Sequence, residues 1–269
     1  MPAVSSILRT ALACLLAAAG TLAFAQAAKE TAPAAPAATF EPSSGQAGKD
    51  VVWVPTPQSV VDKMLDMAKV TPKDFVMDLG SGDGRTVITA AKRGVRALGI
   101  EYNPDMVELS KRNAEKEGVS DKAKFVKADL FETDFSKASV ITMFLLPDIN
   151  QRLRPKILDL RPGTRIVSNS FTMGDWKADE TAILKEADGC NTSYCTALFW
   201  IVPARVGGTY KTPHGELVLK QEFQMLTGTL KSGGKNLPVT GKVRGEDISF
   251  TAEGREYRAR MNRGNLELQ

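Results

Sequence analysis

The 269-residue sequence is short of the residues on which much familiar chemistry depends. It has a single histidine, His214, which argues against a His-rich zinc site and against a Ser-His-Asp hydrolase. Its three cysteines cannot form a four-cysteine metal site or a disulfide-dense scaffold, and no metal is expected. An excess of one charge is also missing. The 35 Lys and Arg against 31 Asp and Glu leave a net charge of +4, so bulk charge gives no case for a nucleic-acid partner. What is present, 43% hydrophobic and 25% charged residues, is the composition of a globular chain with one core or a core plus a small annex.

The amino terminus reads as an export signal. Arg9 is the only charged side chain in residues 1–25, residues 10–22 are nearly all apolar or small, and Ala23-Phe24-Ala25 supplies the small residues of a signal-peptidase site. The expectation is a cleaved signal peptide over residues 1–25 and a periplasmic or secreted protein. The alternative is a membrane anchor, although the uncharged run falls short of the ~20 residues of a comfortable span. Residues 26–49 are rich in Ala, Pro, Ser and Gly, with no apolar period, and are expected to form a disordered linker. Cleavage would remove Cys14. The remaining pair, Cys190 and Cys195, leaves two states open: a small disulfide loop, worth about 2 kcal/mol, or two free thiols.

Residues 50–204 alternate short apolar runs with helical stretches. Strands are expected at residues 75–79, 96–100, 124–127, 139–145 and 164–168. Asn103-Pro104 is a strong helix start, with Asn as the cap and Pro in the first turn. Helical segments at 149–153 and 156–160 are expected to be split by Pro155. Such alternation predicts an α/β fold with a largely parallel sheet. From residue 205 the pattern changes to short alternating strands punctuated by glycine, which predicts a small antiparallel β meander over residues 205–269.

The most informative segment is Asp78-Leu79-Gly80-Ser81-Gly82-Asp83-Gly84-Arg85, a strand, a glycine turn and a helix start. A dinucleotide fingerprint would need glycine where Arg85 stands, and a phosphate loop would need Gly-Lys-Ser or Gly-Lys-Thr. Asp78 and Asp83 would repel a pyrophosphate and attract a cation. S-adenosylmethionine, with a sulfonium and an ammonium and no phosphate, suits those charges. Glu101 closes the second strand, 23 residues after Asp78, where a carboxylate can accept from ribose hydroxyls. Asp129 follows the third strand, placed for the adenine amino group, with Leu130 beside it.

Asp78 to Arg85 resembles the first motif of class I, seven-strand methyltransferases. Val54-Pro55-Thr56-Pro57, Leu145-Leu146-Pro147, Leu153-Arg154-Pro155, Pro162-Gly163-Thr164-Arg165 and Met173-Gly174-Asp175-Trp176 narrow the resemblance. Together they resemble the lysine methyltransferases of the mitochondrial ATP synthase c-subunit and the adenine nucleotide translocase, with their archaeal relative. The resemblance implies a Rossmann-like seven-strand sheet whose last strand is antiparallel. It implies that Thr56 and the Gly80, Ser81, Gly82, Asp83, Gly84 turn hold the methionine end of the cofactor, and that Leu145, Leu146 and Pro147 line the transfer channel. Trp53 stands where the family has tyrosine. Trp53, Phe144 and Leu146 are expected to wall a channel that desolvates a lysine amine. At pH 7 holding that amine neutral costs roughly 4.6 kcal/mol. The expected partner is a protein with an accessible lysine, with membrane or envelope association possible. The alternatives are a small-molecule N-methyltransferase and an exported, non-catalytic module that binds S-adenosylmethionine or the envelope. For the meander, a stabilising appendix and a docking module both stay open.

Overall fold

A computed structural model describes residues 40–269. The signal-peptide expectation for residues 1–25, with Cys14, and most of the expected linker lie outside the described residues. Residues 40–49, assigned to that linker, form a turn on the following domain instead. Ser43 N–H donates to Gln46 Oε1, and Gly45 and Trp53 N–H bonds tie the turn to the segment that follows it.

The first sheet is built from β1 (Phe75–Leu79), β2 (Arg96–Glu101), β3 (Ala123–Lys127), β4 (Val140–Met143), β5 (Arg165–Asn169), β6 (Glu180–Ile183) and β7 (Thr196–Ile201), in the order 3-2-1-4-5-7-6. The first five strands are parallel and β7 runs antiparallel to both of its neighbours, as expected. Strand alternation divides the core. Val76, Val140, Val167 and Phe199 face one layer, with α1 (Gln58–Met67), α2 (Arg85–Lys92) and α3 (Pro104–Lys116). Met77, Leu79, Ile141, Ile166 and Trp200 face the other, with α4 (Pro147–Leu158). Asn103 caps α3 through Oδ1, which accepts from Asp105 N–H at 2.9 Å.

The expected break at Pro155 does not occur: α4 runs through it. Proline removes one hydrogen bond, but Ile149, Leu153 and Ile157 share a buried face that a break would pull apart. Flanking side chains hold the same helix. Arg154 donates to the Met173 carbonyl and Lys156 to the carbonyls of Phe131 and Thr133.

The second sheet is a meander of seven strands in sequential order, from β8 (Gly208–Thr212) to β14 (Asn265–Leu268). Two-residue turns such as Glu253-Gly254 place both residues at positive φ, 50° and 77°, the geometry that matches strand twist in tight hairpins. The meander has its own apolar face, including Leu217, Val243 and Phe250. It is joined to the first sheet at one corner. The Phe223 ring stacks on buried Trp176 at 6.2 Å, Arg154 lies over Phe223, Gln224 donates to the Lys177 carbonyl, and Lys242 sits 2.8 Å from Asp179. Phe223→Ala is expected to cost about 2 kcal/mol, below the roughly 3–5 of a fully buried Phe because this ring is half-buried. Urea unfolding checks this; an unchanged midpoint would mean that the ring stack does not hold the two sheets together.

Candidate active site

The carboxyl ends of β1, β2 and β4, the residues after β3 and the strap of residues 46–56 line one pocket. Asp78 lies in register with Gly99 of β2 and Thr142 of β4, and Thr142 Oγ1 donates to Asp78 Oδ1 at 2.6 Å. Only 5% of this residue is exposed. Burial pushes the Asp78 carboxyl up to about 7, opposed by the hydrogen bond from Thr142 and reinforced by the Glu101 and Asp83 charges.

The glycine turn consumes its own donors. Gly80 and Ser81 N–H both bond the Ile100 carbonyl, Gly82 N–H bonds Glu101 Oε2 at 2.9 Å, and Gly84 N–H bonds the Ser81 carbonyl. The helix start was expected to offer free N–H groups, but Arg85 N–H is taken by Asp83 Oδ1. A phosphate would meet the Asp78, Asp83 and Glu101 carboxylates, whereas a cation meets a buried acid. This donor set fits S-adenosylmethionine: Asp78 would face its positive end, and Glu101 would face ribose hydroxyls with its remaining lone pairs. Glu101 also has a structural task, since Oε1 accepts from Asn103 N–H at 2.9 Å while Oε2 holds the turn.

Thr56, Asp78, Gly80, Ser81, Gly82, Asp83, Glu101, Asp129 and Leu130 all line the pocket, as do Trp53, Phe144 and Leu145. The Trp53 indole also closes over Gly82, where a Cβ would come within 2.5 Å of Nε1, so it covers the glycine turn. The Ser81 hydroxyl lies against Gly99 with no hydrogen-bond partner. Gly84 does not line the pocket. It is a packing glycine at φ 84°, where a Cβ would strike Phe125 and Ser110 within 2.9 Å. Leu146 and Pro147 are not lining residues either: Leu146 is 40% exposed at the start of α4, because the chain turns outward there to begin the helix.

Three participants were not legible in the sequence. Arg85 pairs with Asp83 at 2.6 Å and donates to the Thr56 carbonyl, so it neutralises one acid and ties the strap to the turn. Tyr102, directly after Glu101, also lines the pocket. Lys49 ion-pairs with Asp129 and lies 4.7 Å from the Tyr102 ring centre. That hydrogen bond holds the Asp129 carboxyl below its ordinary range. The adenine amino group expected at Asp129 would therefore share that carboxylate with Lys49 or displace it.

Two outcomes follow from these charges. A cationic ligand favours ionised Asp78, so binding below about pH 7 releases a proton, and affinity rises with pH until it levels off above that value. The same raised pKa makes the ligand-free fold lose stability as pH rises from about 4 toward 7. Calorimetry of S-adenosylmethionine binding across pH measures the first effect, and Asp78→Asn should flatten it. Lys49→Ala should strengthen binding by no more than a few-fold, because an exposed ion pair is weak. Weakened binding would show that Lys49 helps to hold the ligand.

The family described as the ANTKMT methyltransferase domain matches residues 78–180. A protein-lysine N-methyltransferase of Saccharolobus islandicus (strain REY15A) is 45% identical over 154 residues, which are 56% of this chain and 94% of that protein. The ATP synthase c-subunit lysine N-methyltransferase of Rattus norvegicus is 36% identical over 130 residues, 48% of this chain and 60% of that enzyme. Among solved structures, an RNA methyltransferase from Salinibacter ruber in complex with S-adenosyl-L-homocysteine is 44% identical, with a TM-score of 0.52, covering 57% of this chain and 96% of that one. An acid-lined pocket that suits a sulfonium nucleoside and near-complete coverage of the archaeal relative agree: the chain belongs to the protein-lysine N-methyltransferase family and is an S-adenosylmethionine-dependent enzyme.

Proposed function

We propose that this enzyme methylates lysine side chains of proteins outside the cytosol. The observation that carries the acceptor reading is the division of the pocket. Asp78 and Glu101 make one part acidic, while Met143, Phe144, Leu145 and Ile149 make another part apolar. No histidine lines it. An amine entering past Phe144 and Leu145 is desolvated, which lowers its pKa and favours the neutral nucleophile. When bound, S-adenosylmethionine supplies an electrophilic methyl group: the amine lone pair forms the N–C bond, the C–S pair stays on sulfur, and the proton leaves to water. The chain's residues bind the cofactor through Asp78 and Glu101, close Trp53 over the turn, and align the amine. The names of the Saccharolobus and rat relatives support a protein-lysine acceptor.

Export rests on residues 1–25 and is supported by the Cys190–Cys195 disulfide, a bond that persists in oxidising compartments. None of the described helices is long and apolar enough to cross a membrane. In the proposed organisation residues 50–204 carry the chemistry and residues 205–269 support it, with residues 40–49 added to the catalytic domain.

The test is transfer of tritiated methyl from S-adenosylmethionine by the full chain to poly-L-lysine, to RNA and to free lysine, in separate reactions. Label in poly-lysine supports the proposal. Label in RNA alone would bring the chain to the activity named for the Salinibacter protein, and label in free lysine alone would make it a small-molecule enzyme. Cofactor binding with no transfer to any of them would leave a binding module. Glu101→Ala, which should bind the cofactor roughly 10- to 100-fold more weakly, is the control.

A further inference from the structure

Three aromatic rings meet beside the pocket, and none belongs to either core layer of the first sheet. Phe144 follows β4 and lines the pocket. Phe171 follows β5, and its ring stacks on Phe144 at 5.7 Å. Tyr194 comes from the connection between β6 and β7, 5.1 Å from Phe144 and 6.0 Å from Phe171. All three are half-buried.

The chain holds two of these rings by unusual means. Ser170, at φ 60°, is the centre of a γ-turn closed by Phe171 N–H to the Asn169 carbonyl at 2.7 Å. A positive φ at a non-glycine γ-turn is strained, and it persists only where surrounding bonds fix it. Here Ser170 N–H donates to the Thr196 carbonyl, while Ser168 Oγ and Asn150 Nδ2 donate to the Phe171 carbonyl. Tyr194 sits inside the loop closed by Cys190–Cys195, and Cys190 is anchored in the core beneath. Both devices bring a ring against Phe144.

We propose that Phe144, Phe171 and Tyr194 form the binding site for the acceptor's alkylammonium side chain, with Tyr194 the residue that determines acceptor affinity and the Cys190–Cys195 bridge the element that places it. This deepens the lysine reading above and rests on it. The site is continuous with the cofactor pocket through Phe144. The aromatic faces pack against the methylene stem and receive the ammonium as it enters, before its proton is lost to water and transfer occurs. Tyr194 can also offer its hydroxyl oxygen to an amine N–H. Phe171 and Tyr194 thereby stand beside Phe144 in place of the exposed Leu146.

The test compares wild type, Tyr194→Ala, Tyr194→Phe and the double variant Cys190→Ser/Cys195→Ser, with poly-L-lysine as acceptor. Unchanged far-ultraviolet dichroism and a cooperative urea transition establish that each is folded. Tyr194→Ala should raise KM for poly-lysine about tenfold, with S-adenosylmethionine affinity unchanged. Tyr194→Phe should restore most of the acceptor affinity, because the ring face supplies it. The double serine variant should raise KM in the same direction, and phosphine reduction of wild type should reproduce that rise without further effect on Tyr194→Ala. Unchanged KM in a folded Tyr194→Ala variant would overturn the assignment, as would loss of cofactor affinity in step with KM. Wild type that binds the cofactor and leaves poly-lysine unlabelled would instead remove the lysine reading, and this inference with it.

Discussion

The pocket is organised around one unfavourable placement, a carboxyl group buried at the end of β1. Desolvation penalises the ionised form of Asp78, and the nearby Glu101 and Asp83 charges add to the penalty. Thr142 on the adjoining strand offsets part of it with a 2.6 Å hydrogen bond. What remains is an acid poised close to neutrality that a cation would ionise and be held by. A buried Asp that stabilised only the fold would be better replaced by an apolar residue, so its cost is understandable as a binding device.

The other polar groups distribute the work around that acid. Glu101 holds the glycine turn and the start of α3 through two backbone N–H groups. Arg85 compensates Asp83 and fastens the strap. Lys49 compensates Asp129 from the same strap. With carboxylates around the turn, the site distinguishes a sulfonium nucleoside from a phosphate by charge. The strap is thus part of the site: it carries Thr56 and Trp53 into the pocket and covers the glycine turn with an indole.

The disulfide connects placement in the cell with placement of a side chain. It closes a short loop over β7, where its contribution to stability is modest because the loop is short. Its more specific consequence is that Tyr194 has few positions available to it. The second sheet is independent in its apolar face and dependent in its attachment, which is concentrated around Phe223, Trp176 and Asp179. The corner that holds it adjoins α4 through Arg154, the same helix that follows Phe144 and Leu145.

The local patterns that the sequence determined are those set by near neighbours. Short continuous apolar runs located the parallel strands, Asn103-Pro104 located a helix start, and alternating runs between glycines located the meander, because each depends on backbone preferences a few residues long. The acids at successive strand ends were legible for the same reason, since parallel topology brings those ends together. Contacts between distant segments were not legible. Residues 40–49 have the composition of a linker, and contacts with the distant Asp129 and Tyr102 give Lys49 a reason to be ordered. Gly84 looked like its neighbours in the motif until Phe125 and Ser110 were seen against it. Leu146 looked like a wall residue until the turn into α4 carried it outward. Whether Cys190 and Cys195 met, and which rings Tyr194 would join, depended on how β5, β6 and β7 pack side by side, and tertiary structure decided it because the rings are brought together by three separate strand ends.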